Sequence, residues 1–100
     1  MAEITISHQF TEQLKEICGY CAEHYSPRYA ERLYEEVFAE IEKLPRSPRR
    51  WQRIDLPDLN CEIRRILCRV YQIFYELEND HIYIHSIIDG RRRPPLFRLD

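Results

Sequence analysis

Four side chains near the C-terminal end of the sequence could move protons near neutral pH. They are His81, Tyr83, His85 and Asp89. A histidine exchanges its proton in the physiological range, and a neighbouring tyrosine or carboxylate can assist it, so the group has the composition of a general acid–base site. A strand histidine that is solvated or packed against a helix explains His85 without any chemistry, and we favour that interpretation.

Arginines surround this group and could neutralise an anion. They form two clusters: Arg64, Arg65 and Arg69, then Arg91, Arg92 and Arg93. Guanidinium groups bind phosphate or carboxylate well but cannot act as a general base at ordinary pH. The first cluster could contact a partner or pair with glutamates of the same domain, and both interpretations stay open. The second precedes Leu96 and Phe97, apolar residues that commonly dock on a protein, so we expect a partner-binding site there.

The four cysteines do not predict a metal centre. Cys18 and Cys21 have the spacing of half a zinc site, but Cys61 and Cys68 are separated by six residues and have no histidine repeat nearby. Small buried side chains in a reducing compartment are the better interpretation. We expect no metal and no cofactor.

The composition is typical of one soluble domain. The 100 residues, 44% of them hydrophobic, suffice for one modest core. There is no membrane-spanning run of roughly 20 apolar residues and no secretory signal, so we expect a cytoplasmic protein that does not bind membranes. Residues 1–42 are acidic and residues 43–69 basic, while the overall pI is near 6.1. Nucleic-acid-binding domains usually exceed a pI of about 9, so no sequence-specific nucleic-acid binding is expected.

The hydrophobic pattern predicts the elements that position these groups. Residues 3–7 alternate polar and apolar side chains, as in a short strand, and Ser7 can cap a helix. Two stripes at helical spacing follow: Phe10, Leu14, Ile17, Cys18 and Cys21, then Ala30, Leu33, Val37, Ile41 and Leu44. Ser26 begins the second helix and Pro45 ends it, so the two helices form a hairpin with one apolar side. Tyrosines that suit a half-buried protein interface surround this hairpin: Tyr20, Tyr25, Tyr29 and Tyr34.

A loop and two strands are predicted next. Residues 45–60 contain three prolines and should form a loop in which Trp51 caps the core. Residues 62–66 and 69–77 are rich in β-branched and aromatic side chains, which indicates two strands joined by a tight turn near residues 67–68.

A final strand over residues 81–88 should follow a turn at residues 78–80. Strict alternation places on one face Ile82, Ile84 and Ile88, and on the other Tyr83, His85 and Ile87. We expect the isoleucine face to meet the helices. The sequence therefore predicts a single α+β domain over residues 1–100. In it an antiparallel β-sheet, made of the N-terminal strand and a three-stranded C-terminal meander, packs against an α-helical hairpin.

This ordered set of segments resembles the RelE/ParE superfamily of toxins from bacterial toxin–antitoxin modules. The residues that carry the resemblance are Ala30, Ile41-Glu42-Lys43-Leu44-Pro45, Arg65, Tyr71-Gln72-Ile73-Phe74-Tyr75, Ile84 and Ile87-Ile88-Asp89-Gly90-Arg91-Arg92. A tyrosine-rich strand followed by a strand that ends in Gly-Arg-Arg is most similar to the ParE branch.

The resemblance implies a toxin of a type II toxin–antitoxin module. A ParE-like toxin would inhibit DNA gyrase by binding, without catalysis, and a cognate antitoxin would neutralise it in a hetero-oligomer. The RelE-like alternative is a ribosome-dependent mRNA interferase, an endoribonuclease, with the candidate catalytic set Arg65, Arg69, Tyr83 and His85. A third interpretation is a degenerate, non-toxic interaction module.

Overall fold

The computed structural model describes residues 2–55 and 61–91, and these form two helices and one five-stranded sheet. In chain order the elements are β1 (Glu3–Ile6), α1 (His8–His24), α2 (Pro27–Glu42), β2 (Gln52–Ile54), β3 (Glu62–Cys68), β4 (Tyr71–Glu78) and β5 (His81–Asp89). The sheet order is β1-β5-β4-β3-β2. The predicted α+β fold, with a helical hairpin on the sheet, is confirmed.

Serine caps begin both helices at the predicted positions. The Oγ of Ser7 accepts a hydrogen bond from the amide of Phe10 at 2.9 Å, and the Oγ of Ser26 accepts one from the amide of Tyr29 at 3.0 Å. Such a cap contributes about 1 kcal/mol to helix stability. Ser7 also donates to the carbonyl of His85 at 2.6 Å, so the start of α1 is fixed to β5.

One core forms between the helices and the facing side of the sheet. Its fully buried side chains include Phe10, Leu33, Val37, Ile66, Ile73, Tyr75, Ile82 and Ile84. Burying each of these contributes roughly 1.5–3 kcal/mol of hydrophobic free energy. Trp51 is half-buried against this core, as expected, whereas Tyr34 lies mostly exposed on α2.

The expected loop over residues 45–60 contains a strand, which corrects the prediction. β2 pairs antiparallel with β3, with Gln52 opposite Arg65 and Ile54 opposite Ile63. The strand has only three residues, too few for alternation to predict it among prolines and arginines. The sheet is also not wholly antiparallel, because β1 pairs in parallel with β5.

The turn between β3 and β4 lies at Arg69 and Val70, and not near residues 67–68 as predicted. Arg69 has a φ of 55°, in the left-handed region. Glycine or asparagine usually marks such a position, and neither is present, so the sequence gave no turn signal here. The longer β3 places Cys68 opposite Tyr71.

A β-bulge in β5 overturns the predicted alternation of its last residues. Tyr75 pairs with Ile84 but Phe74 pairs with Ser86, so the register between the two strands shifts by one residue at His85. After the bulge Ile87 lies in the core, and not Ile88 as predicted. Ile88 is half-buried outside the core. Paired residues share a face, so the far face, defined as the side of the sheet turned away from the helices, carries Arg65, Leu67, Phe74, Glu76 and Tyr83.

Gly90 allows β5 to end against the β3–β4 turn. Its amide donates to the carbonyl of Val70 at 2.5 Å. A Cβ atom at Gly90 would lie 2.7 Å from that carbonyl oxygen and 3.1 Å from Nε2 of Gln72. Because the nearer atom belongs to the backbone, a side chain here would push the two segments apart.

We expect Gly90→Ala to lower the free energy of unfolding by about 1–3 kcal/mol, measured by urea denaturation. The matched control is Gly19→Ala, since a Cβ at Gly19 would meet nothing within 4 Å. In the middle of α1 that change should raise stability by up to about 1 kcal/mol. Equal effects of the two substitutions would show that the contact with Val70 does not constrain the fold.

Candidate functional site

A groove of about 600 Å³ lies between α1, the α1–α2 connection, the β3–β4 turn and the end of β5. We call it the tyrosine groove, after Tyr20, Tyr25, Tyr29 and Tyr71 in its lining. Tyr20 and Tyr25 are 55% and 63% exposed, so large aromatic surfaces face solvent here. Tyrosine combines a large contact area with few rotatable bonds and is enriched in protein interfaces. The predicted interface around the helix hairpin therefore has a defined shape.

The floor of the groove is Tyr71, which β4 holds in a buried position. Its hydroxyl lies 3.5 Å from the Sγ of Cys21 on α1. Burial, together with this contact to Cys21, raises the pKa of Tyr71. The phenol therefore stays neutral, and the floor is an uncharged surface that can receive apolar side chains.

Arg69 holds the β3–β4 turn, which forms one wall of the groove, against α2. Its Nε donates to Oε1 of Glu36 at 3.0 Å, a second guanidinium nitrogen contacts the other carboxylate oxygen, and its Cζ lies 4.8 Å from the ring centroid of Tyr29. The hydrogen bond from Arg69 lowers the pKa of Glu36, and the same bond raises the pKa of Arg69. Arg69 thus orients Tyr29 and is engaged within the domain.

Arg91 forms the rim where β5 ends. Its Nε and Nη2 donate to the two carboxylate oxygens of Asp89 at 3.0 and 2.6 Å, and its amide also donates to that carboxylate at 2.9 Å. Hydrogen bonding to Asp89 raises the pKa of Arg91. An exposed pair of this kind contributes little stability, but it sets the direction of a predicted partner-binding side chain.

Arg64 holds the segment before β2 in place. Its Nε lies 2.5 Å from Oε2 of Glu62, and its Nη1 donates to the carbonyls of Arg49 and Trp51 at 3.1 and 2.6 Å. Only 14% of its side chain is exposed. Of the two interpretations that the sequence left open for Arg64, the geometry corresponds to internal pairing.

Arg65 projects from the opposite face of β3. Its Nη2 donates to Oε1 of Gln52 at 3.4 Å, a long hydrogen bond. Its Nε is buried and has no hydrogen-bond partner among residues 2–55 and 61–91. Arg65 therefore differs from Arg64, Arg69 and Arg91, each of which is paired with a carboxylate.

The acid–base candidates lie on the far face and in the adjoining bulge. Nδ1 of His85 is 2.9 Å from Oγ of Ser86, and Tyr83 is 37% exposed. Burial lowers the pKa of His85, and the nearby carboxylate of Glu76 opposes that shift. Glu76 pairs with Tyr83 across the strands. Sequence reasoning missed Glu76, because a single glutamate in a strand is typical of a solvated position.

The predicted catalytic set is divided between two parts of the molecule. Arg65 and Tyr83 are on the far face. Arg69 instead lies in the β3–β4 turn, where it is bound to Glu36 on α2. His81 contacts the hydroxyl of Thr5 at 2.7 Å near the β4–β5 turn. The remaining predicted partner-binding residues lie outside the described part of the chain: Arg92, Arg93, Leu96 and Phe97.

A second cavity, of about 560 Å³, lies beside the β4–β5 turn and is lined mainly by acidic groups. Its lining comprises Glu3, Glu76, Glu78, Asn79, Asp80, His81 and Tyr83. Across the residues that the structure describes, no group of three or more histidine, cysteine or acidic side chains is arranged to hold a metal ion. All four cysteines are free. Nor does either described helix have the length and apolar character needed to cross a membrane.

The chain is similar to known proteins in sequence and in fold. The sequence matches the family model described as the ParE toxin of the type II toxin–antitoxin system parDE over residues 4–94. Among solved structures, the chain is similar to one from the chromosomal ParDE TA system of P. aeruginosa, with a TM-score of 0.72 and 15% sequence identity, over 87% of this chain and 94% of that chain. At this identity the likeness concerns the fold. No curated relative matches the sequence.

Replacing Arg64 with methionine should destabilise the protein, because it removes the nearer of the two arginines beside Glu62 and the side-chain donor to two carbonyls. We expect Arg64→Met to lower the free energy of unfolding by about 2 kcal/mol. Arg53→Met on the neighbouring strand is the control, since Arg53 is 57% exposed and its Nε is 3.8 Å from Asp55. Chemical denaturation of both variants measures the difference, and equal stabilities would contradict the internal role of Arg64.

The lowered pKa of His85 makes stability depend on pH. An unfolded chain protonates its histidine near pH 6.5, whereas the folded protein resists protonation until a lower pH. The unfolded state therefore binds more protons as the pH falls below about 6.5, and the contribution of His85 to stability is lost in that direction. We expect the wild-type protein to lose more unfolding free energy than His85→Gln between about pH 7.5 and pH 5.5. Tyr83→Phe, which retains the imidazole, should follow the wild-type profile, and parallel profiles for wild type and His85→Gln would refute the assignment.

Proposed function

The chain belongs to the ParE toxin family of type II toxin–antitoxin systems, and we propose that it inhibits DNA gyrase by binding. The family match over residues 4–94 is the observation that carries this proposal, because it extends from β1 to beyond the end of β5. On this proposal the toxin needs no catalytic step of its own. It acts by occupying a surface of the enzyme.

The placement of the arginines supports action by binding. An endoribonuclease must neutralise a phosphate and move protons to and from the reacting oxygens at one place. Arg69, one member of the candidate catalytic set, is instead bound to Glu36 and stacked on Tyr29. Its guanidinium therefore holds Tyr29, which lines a groove suited to a protein partner.

We also propose that a cognate antitoxin neutralises the toxin in a hetero-oligomer and that part of it occupies the tyrosine groove. The groove offers exposed aromatic rings above an uncharged floor, which suits the apolar side of an amphipathic helix. A disordered antitoxin segment that folds on binding can cover a large surface, including sites on both faces of a small sheet. Cytoplasmic action is part of the same proposal.

The RelE-like alternative has one observation in its favour. Arg65, Glu76 and Tyr83 share the far face, and the carboxylate of Glu76 affects the pKa of His85 in the adjoining bulge. Such a group could supply a base and an anion-binding side chain. A neutral His85 could accept a proton but would be a poor proton donor at neutral pH.

Two purified assays distinguish these functions. We expect the wild-type toxin to inhibit gyrase supercoiling and to leave ribosome-bound mRNA intact. His85→Gln should inhibit gyrase as strongly as the wild-type toxin, whereas removal of residues 92–100 should abolish inhibition, since the predicted partner-binding residues lie there. Cleaved mRNA together with unaffected gyrase would overturn the proposal. No effect in either assay would favour the non-toxic interaction module.

A further inference from the structure

Arg65 carries a donor that the described part of the domain leaves unsatisfied. Its Nε is buried without a hydrogen-bond partner there, and its Nη2 makes only the 3.4 Å bond to Gln52. A buried donor left without a partner destabilises a protein, and more so when the group is charged. Because the Nε itself is buried, an incoming group would reach this guanidinium through its terminal nitrogens.

The surroundings of Arg65 would strengthen a bond to an incoming anion. Phe74 lies directly opposite on β4, and Ile63 and Leu67 flank Arg65 on the same face of β3. Leu67 is 53% exposed and offers an apolar contact beside the guanidinium. A charge-assisted hydrogen bond is stronger than a neutral one, and the buried rings and chains of Phe74 and Ile63 keep water from one side of Arg65.

The charge pattern favours a carboxylate from a protein over the phosphates of a nucleic acid. Binding along a nucleic-acid backbone requires several cations in a row. The far face instead carries Glu76 on the next strand, and the acidic cavity lies further along β4 and β5. The neighbouring arginines Arg64 and Arg69 pair with Glu62 and Glu36 and do not extend a basic track.

Arg65 lies close to the edge of the sheet, because β3 is the second strand from that edge. The outer strand, β2, has only three residues, and Gln52 is its member next to Arg65. A partner segment that crosses the far face of β2 can bring an acidic side chain over Gln52, whereas Arg53 is opposite Arg64 and so lies on the other face of the sheet.

We propose that Arg65 is an anion-recognition residue that receives a carboxylate of the antitoxin on the far face, next to an apolar contact on Leu67. The inference rests on the proposed function for the identity of the partner. It assigns to Arg65 a role in neutralisation and not in toxicity. The acidic residue would belong to a segment distinct from the one in the tyrosine groove.

The test compares Arg65→Met, Arg65→Lys and the control Arg53→Met. Calorimetric titration of each purified toxin with its cognate antitoxin gives the affinity. We expect Arg65→Met to weaken binding roughly 10- to 100-fold, because methionine keeps the apolar contact but removes the charged donors. Arg65→Lys should recover part of the affinity, since lysine restores the charge but lacks the planar guanidinium that donates two parallel hydrogen bonds to a carboxylate. Arg53→Met should change the affinity by less than about twofold.

A second readout separates this role from a structural one. Because the Nε of Arg65 has no hydrogen-bond partner within residues 2–55 and 61–91, Arg65→Met should leave the thermal unfolding midpoint unchanged or raise it. Gyrase inhibition by the free toxin should also be unchanged. Stability lower than wild type, or antitoxin affinity within twofold of wild type, would overturn the proposal. So would a loss of gyrase inhibition with unchanged antitoxin affinity, which would assign Arg65 to the target surface. A wild-type toxin that leaves gyrase active would refute the proposed target, while the antitoxin titration would still decide the role of Arg65.

Discussion

The hydrogen bond from the Gly90 amide to the Val70 carbonyl, at 2.5 Å, is the contact on which the rest of the site depends. It joins the end of β5 to the β3–β4 turn, and Arg69 in the same turn is bound to Glu36 on α2. Two strand ends and a helix are thereby held at one place. The tyrosine groove is the space that remains between them and α1, so its shape follows from backbone contact more than from the tyrosines themselves.

Local signals in the sequence predicted most of the fold. Serine caps and helical stripes depend on neighbouring residues, so α1 and α2 could be located from sequence alone. The bulge at His85 could not, because it depends on the register between β4 and β5 and changes which isoleucine enters the core. The left-handed turn at Arg69 likewise has no local marker. Interactions distant in sequence decide it, namely those with Glu36 and Tyr29.

The candidate site was less predictable than the fold, for a related reason. Sequence shows which residues are charged but not which of them are already paired. Arg64, Arg69 and Arg91 looked equivalent to Arg65, yet each has a carboxylate of its own domain. The sequence did not indicate a role for Glu76, because only the folded sheet brings its carboxylate near His85. What distinguishes this surface is therefore the pattern of satisfied and unsatisfied charges, together with exposed aromatic rings.

We propose that the tyrosine groove built around the β3–β4 turn receives a protein partner. Hydrogen–deuterium exchange of the toxin, free and in complex with its antitoxin, tests it most directly. We expect slower amide exchange in the complex in the segments that line the groove, which are residues 13–29, 70–71 and 87–91. Unchanged exchange in all three segments, in a complex shown to be fully formed, would contradict it.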